Sequence, residues 1–104
     1  METTSWETFE RKMREACIVE ARQLWGPQTS SRFEHMVDDL GIREAVQRLL
    51  SRYNPPIGTL SVPHHQGRMD LTMEYWVISE NFRALFTLKE IEVASWRIQN
   101  ADEF

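Results

Sequence analysis

Apolar residues recur at three- and four-residue intervals along most of the chain, the signature of helices with one buried face. Trp6, Phe9, Met13, Ala16, Cys17 and Leu24 define the first such face. Ahead of it, Thr4-Ser5-Trp6-Glu7 reads as a capping box, in which a hydroxyl and a carboxylate each satisfy a backbone N–H. Gly26-Pro27 ends this helix. A second helix is predicted from Ser30 or Ser31, with Glu34 three residues after a serine and a stripe of Phe33, Met36, Val37 and Leu40. Gly41 can take the left-handed shape that stops a helix. The third helix follows at once through Ile42, Ala45, Val46, Leu49 and Leu50, so helices two and three form a paired unit.

From Tyr53 to Arg68 the periodicity is lost, and Pro55-Pro56, Gly58, Pro63 and Gly67 punctuate the chain. Ile57, Leu60 and Val62 anchor this loop, so it is not a linker, and a short helical turn is expected around residues 59–61. Asp70 is the predicted cap of a fourth helix, Leu71 to Ser79, which is apolar nearly all round and therefore central. A strand through Tyr75–Ile78 competes with that reading but lacks an evident partner strand. Phe82, Leu85 and Phe86 pack a tight connector. Thr87-Leu88-Lys89-Glu90 is a further capping box, opening a last helix with the stripe Leu88, Ile91, Ala94 and Ile98. The pattern predicts one all-α domain, residues 1–104: a compact bundle of about five helices with one Pro/Gly-rich loop at residues 53–68.

Composition agrees with a globular domain, at 41% hydrophobic and 27% charged residues. No apolar run is long enough for a membrane span, and Met1-Glu2-Thr3-Thr4 does not open a signal peptide. Cys17 is the single cysteine, which excludes an internal disulfide and points to a reducing, cytoplasmic setting. The formal charge of −4 argues against broad attraction to phosphates. Ten of the twelve basic residues are arginines, the cation suited to planar, bidentate contacts.

Gly67-Arg68-Met69-Asp70-Leu71-Thr72-Met73-Glu74, followed by Phe82, Leu85-Phe86-Thr87, Glu90, Ala94 and Arg97, resembles a pattern in a family of small bacterial proteins. Phe33, Met36, Gly41, Ala45 and Leu49-Leu50 fit it upstream, so the resemblance covers about two thirds of the chain. It implies structural roles and no activity: Asp70 as a cap, Glu74 one turn later, Phe82 and Phe86 in the core. Tyr75-Trp76 stands where that pattern has smaller aliphatics, and Val93 and Trp96 stand where it has charges. The loop with His64-His65 is also atypical of it.

Few constellations could carry chemistry. His35 and Asp39 share a helical face, with Asp38 nearby and His64-His65 in the loop, but a metal needs three or four converging ligands, and none is expected. No cofactor is expected either: the four glycines form no phosphate loop, and no serine sits in a Gly-x-Ser-x-Gly elbow. Cys17 reads as a small core residue. Glu20 and Glu74 each lie within an apolar stripe, where a carboxylate pairs with an arginine or has a raised pKa.

A 3.6-residue projection of the first helix gives it a second face of Arg11, Arg14, Ile18, Arg22 and Trp25. An aromatic and an aliphatic anchor with an arginine rim have the composition of a protein-binding hot spot. On the last helix, Val93 and Trp96 project away from the core stripe, and a symmetric homodimer would cover both surplus faces. The first expectation is thus a non-enzymatic interaction module, an adaptor, inhibitor or subunit of the kind phages and mobile elements encode, with a protein partner and no membrane. Nucleic-acid binding through Arg43, Arg48 and Arg52 ranks second, and an enzyme built from Glu20, Glu74 and His64/His65 third.

Overall fold

The computed structural model describes residues 5–51 and 60–101, and the described residues are helical with no strand. Ser5, rather than Thr4, caps the first helix by accepting from the Thr8 N–H at 3.2 Å; Thr4 lies outside the described residues. This first rod has three continuous parts: α1 (Trp6–Met13), a π-helical stretch (Arg14–Glu20) and α2 (Ala21–Trp25). The backbone stays right-handed helical at each junction, and the Ala21 N–H reaches back five residues to the Ala16 carbonyl. A π turn holds more residues than an α turn. Residues four apart therefore stay in line, and Met13, Cys17, Ala21 and Trp25 succeed one another along the inner face.

That widening overturns the two-sided first helix expected from a regular projection. Ile18 is 2% exposed and sits inside the protein's own packing, whereas Leu24, assigned to the core stripe, is 50% exposed. Ile18 is therefore no part of a surface, and Trp25 packs, half-buried, against the core. Ile18→Ala should lower the unfolding free energy by about 2–5 kcal/mol, while Leu24→Ala should change it by no more than about 0.5 kcal/mol. Urea denaturation of the two variants checks this; a regular α-helix would reverse the ranking.

α3 (Ser31–Leu40) and α4 (Ile42–Leu49) form the expected pair, joined at Gly41, whose φ of 82° suits glycine. The serine–Glu34 cap predicted for α3 does not form. Ser30 takes a left-handed φ of 63° and donates its hydroxyl to the Cys17 carbonyl at 2.6 Å. Ser31 donates to the Gln28 carbonyl, and Glu34 accepts from Arg22 instead. The expected irregular stretch 53–68 contains α5 (Ser61–His65); residues 52–59, with Ile57 and the Pro55-Pro56 pair, lie outside the described residues.

A 3₁₀ turn (Met69–Leu71) leads into α6 (Met73–Val77), shorter than the predicted fourth helix and helical where a strand was the competing reading. Thr72, not Asp70, is its cap, accepting from the Tyr75 N–H at 3.3 Å; the Asp70 side chain instead holds Arg68. A second 3₁₀ turn (Arg83–Leu85) joins it to α7 (Leu88–Gln99), which opens on the predicted Thr87/Glu90 capping box. Phe82 and Phe86 are core, as expected. Phe9 meets both edge-on at 5.2 Å between centroids, and Trp6 meets Phe86 in the same way. Such pairs add stability beyond the area they bury.

α7 buries the predicted Ala94 and packs the predicted Ile91 against the core, but the rest of its inner face differs from the predicted stripe. Leu88 is 86% exposed, while Val93 is 1% exposed and belongs to the core beside Ala94. Val93 is thus removed from the proposed surface. The buried residues of α7 are Val93, Ala94 and Arg97, and an arginine among them hides part of the inner face from a reading based on apolar periodicity.

Arg97 is 1% and Glu74 2% exposed. An Arg97 Nη donates to Glu74 Oε2 at 2.9 Å, and the other donates to the Leu49 carbonyl at the end of α4. The last carbonyls of a helix carry partial negative charge, so both acceptors suit the cation. One guanidinium ties α7, α6 and α4 together. Arg97→Leu or Glu74→Leu alone leaves an uncompensated buried charge and should cost about 3–5 kcal/mol. The Arg97→Leu/Glu74→Leu double variant should cost clearly less than the sum of the single effects, a coupling read from a denaturation cycle.

Candidate binding cleft

The inner line of the first rod does not end in the core. Cys17, Ala21 and Trp25 form one wall of a cleft with a volume of about 470 Å³. Phe33 and Met36, one turn apart on α3, form the facing wall, and Leu49 closes it at the end of α4. Exposed Val62 and buried Pro63 line it from α5. Leu71, Thr72 and Met73 form the base, where Glu74 and Arg97 supply the deepest polar atoms. A concave, mostly apolar site with a few fixed polar groups is the usual form of a binding pocket.

Hydrogen bonds and ion pairs hold the walls. Thr72 donates to the Met69 carbonyl at 2.6 Å while it caps α6. Arg68 grips Asp70 through two nitrogens at 3.1 Å and reaches Glu20 at 2.7 Å, fixing the turn before α6 to the end of the π-helical stretch. The guanidinium holds the Asp70 carboxyl below its ordinary pKa, and the two carboxylates raise that of Arg68. Arg22 donates to the Thr29 carbonyl at 3.0 Å and to Glu34 at 2.9 Å, which pins the 26–30 turn and lowers the pKa of Glu34. The turn carries Thr29 and Ser30 to the rim beside Arg32.

The residues singled out in the sequence are dispersed. Of the arginine–tryptophan face, Arg11 is exposed, Arg14 is engaged by Glu10 and Asp38 at 3.0 Å each, and Arg22 is the clamp just described. Only Trp25 reaches the cleft. Trp96 is half-buried and lines a shallow depression with Leu88 and Ile91 on the outer side of α7.

Of the arginines expected to meet nucleic acid, Arg43 lies 5.8 Å from the Trp6 ring centroid and Arg48 pairs with Glu44 at 3.1 Å. Arg52 lies outside the described residues. Glu20 and Glu74 use different arginines and share none. His64 and His65 are exposed and meet each other edge-on, while His35 is exposed on α3. Among the described residues, no three His, Cys, Asp or Glu side chains group as metal ligands.

Phe33 and Met36 were legible as apolar stripe residues but not as cleft wall, because the stripe alone does not say what faces it. Arg32 carried no signal at all. In comparisons with protein-family models, curated proteins and solved structures, nothing matches the chain. No helix among the described residues is long and apolar enough to cross a membrane.

Cys17 sits at the base of the wall, buried, with its thiol 3.9 Å from the Met13 sulfur. Burial pushes its pKa far above the ordinary thiol value, and the charges of Glu74 and Asp70 push the same way. The nucleophile is the thiolate, so this thiol should be inert. Native protein at mildly alkaline pH should resist iodoacetamide for as long as the folded state persists, while urea-unfolded protein alkylates fully. Rapid native labelling by mass spectrometry would contradict this.

Proposed function

We propose that the protein acts by binding rather than catalysis, as a small helical module that receives apolar anchor side chains of a protein partner in the cleft beside Trp25. The observation that carries this reading is the cleft itself: about 470 Å³, walled by Trp25, Phe33, Met36 and Met73 and lined by residues of every helix from α2 to α7. That space suits one or two large side chains. A half-buried tryptophan ringed by aliphatic residues is the composition of an interface hot spot. The acids considered for a reaction are each held by an arginine, Glu20 by Arg68 and Glu74 by Arg97. The arginines that could meet phosphates on α4 are engaged by Trp6 and Glu44. A phage or mobile-element inhibitor or adaptor would work in this way.

Val62 lines the cleft and is exposed, so Val62→Arg blocks entry without disturbing the core. Tagged wild-type protein, Val62→Arg, Trp25→Ala and the remote control Arg11→Gln are compared for capture from one lysate of the producing cells. At least one protein should be retained by the wild type and Arg11→Gln and lost from the two cleft variants, each with a native circular dichroism spectrum. An identical captured set for all four proteins contradicts the reading.

A further inference from the structure

Trp6, Phe9, Tyr75, Trp76, Phe82 and Phe86 each meet another aromatic ring edge-on. Trp25 and Phe33 meet no ring among the described residues, and they do not meet each other. Both are only partly buried against the core, and both line the cleft from facing walls. Aromatic rings gain from edge-on or offset contact with other rings, beyond the area they bury. Two rings that border one hollow without a ring partner leave a place for a third.

Sulfur points the same way. Met36 stands one turn from Phe33 on α3, Met73 lies at the base, and Cys17 shares the wall of Trp25. Thioether sulfur makes favourable contacts with aromatic rings, and the unbranched methionine side chain adapts to their shape. The polar lining makes the guest uncharged. Glu74 and Arg97 neutralise each other at 2.9 Å, and no buried side-chain nitrogen or oxygen among the described residues lacks a hydrogen-bond partner. A charge carried to the base would lose its water and find no group there to replace it. Arg32, the other charged residue of the lining, is exposed to water.

We propose that the anchor the cleft receives is an uncharged aromatic side chain of the partner, entering between Trp25 and Phe33 and against the sulfurs of Met36 and Met73. This rests on the binding reading above and adds to it the chemical class of the anchor. The cleft selects a phenylalanine or tryptophan over a leucine-like side chain of equal or greater apolar area, because the two rings and the sulfurs reward π electrons and not area alone.

The test uses two uncharged probes that differ only in the ring, N-acetyl-phenylalaninamide and its saturated counterpart N-acetyl-cyclohexylalaninamide. Each is titrated into the full-length protein and followed by ¹⁵N–¹H spectra. Both should shift the Trp25 indole and the amides of residues 33–36 and 71–74. The aromatic probe should bind about three- to tenfold more tightly, the size expected of ring–ring and ring–sulfur contacts. Burial of apolar area alone predicts the opposite order, since the saturated ring is the more apolar. The preference should fall in Phe33→Leu, which keeps the wall apolar without its ring, or in the gentler, volume-conserving Met36→Leu, and it should persist in Arg11→Gln. Equal or reversed affinity of the two probes, or a preference that neither cleft variant lowers, overturns the aromatic proposal and leaves the cleft as a binding site. Absence of shifts around the cleft with either probe overturns both.

Discussion

The structure depends on satisfying one guanidinium in a place where water cannot. Arg97 lies in the interior with a carboxylate from α6 on one side and the last carbonyls of α4 on the other. Removing an arginine and a carboxylate from water is costly, and in a small domain it is tolerable only if every donor finds an acceptor. That requirement fixes how α4, α6 and α7 meet. It also fixes the base of the cleft, since Glu74 and Arg97 are its deepest polar groups. An all-apolar substitute could be equally stable, but it would specify the meeting of three helices less sharply.

The π-helical stretch does the corresponding work on the opposite wall. It keeps Cys17, Ala21 and Trp25 in line where a regular α-helix would let them drift, and so carries an indole to the rim of the cleft. The Ser30 hydroxyl meets the widened segment at the Cys17 carbonyl. The same serine therefore supports the irregular helix and leaves the next one without a cap. Widened turns of this kind cluster at functional sites, and departures from local rules are expected where a protein uses a surface.

Much of the fold was legible in the sequence because it follows local rules. The α3–α4 pair, its Gly41 hinge, the Thr87/Glu90 cap and the buried Phe82 and Phe86 all follow from short-range spacing. What stayed hidden violates a periodicity. Ile18 and Leu24 exchanged sides because a projection at fixed pitch cannot foresee a wider turn. Part of the inner face of α7 was missed because a charged residue, Arg97, belongs to it. Thr72 displaced Asp70 as a cap because Asp70 had a competing partner in Arg68, close in sequence but with no pattern that announces it. The cleft is lined by residues of every helix from α2 to α7 and of the turns between them, so no single segment could reveal it.

The most direct test of this account is the state of the Arg97 side chain in solution. In ¹⁵N–¹H spectra at neutral pH, its Nη protons should appear as separate, slowly exchanging signals with nuclear Overhauser contacts to the Glu74 methylenes and to Leu49. A single averaged signal for Arg97, exchanging with water as fast as that of the exposed Arg11, would contradict it.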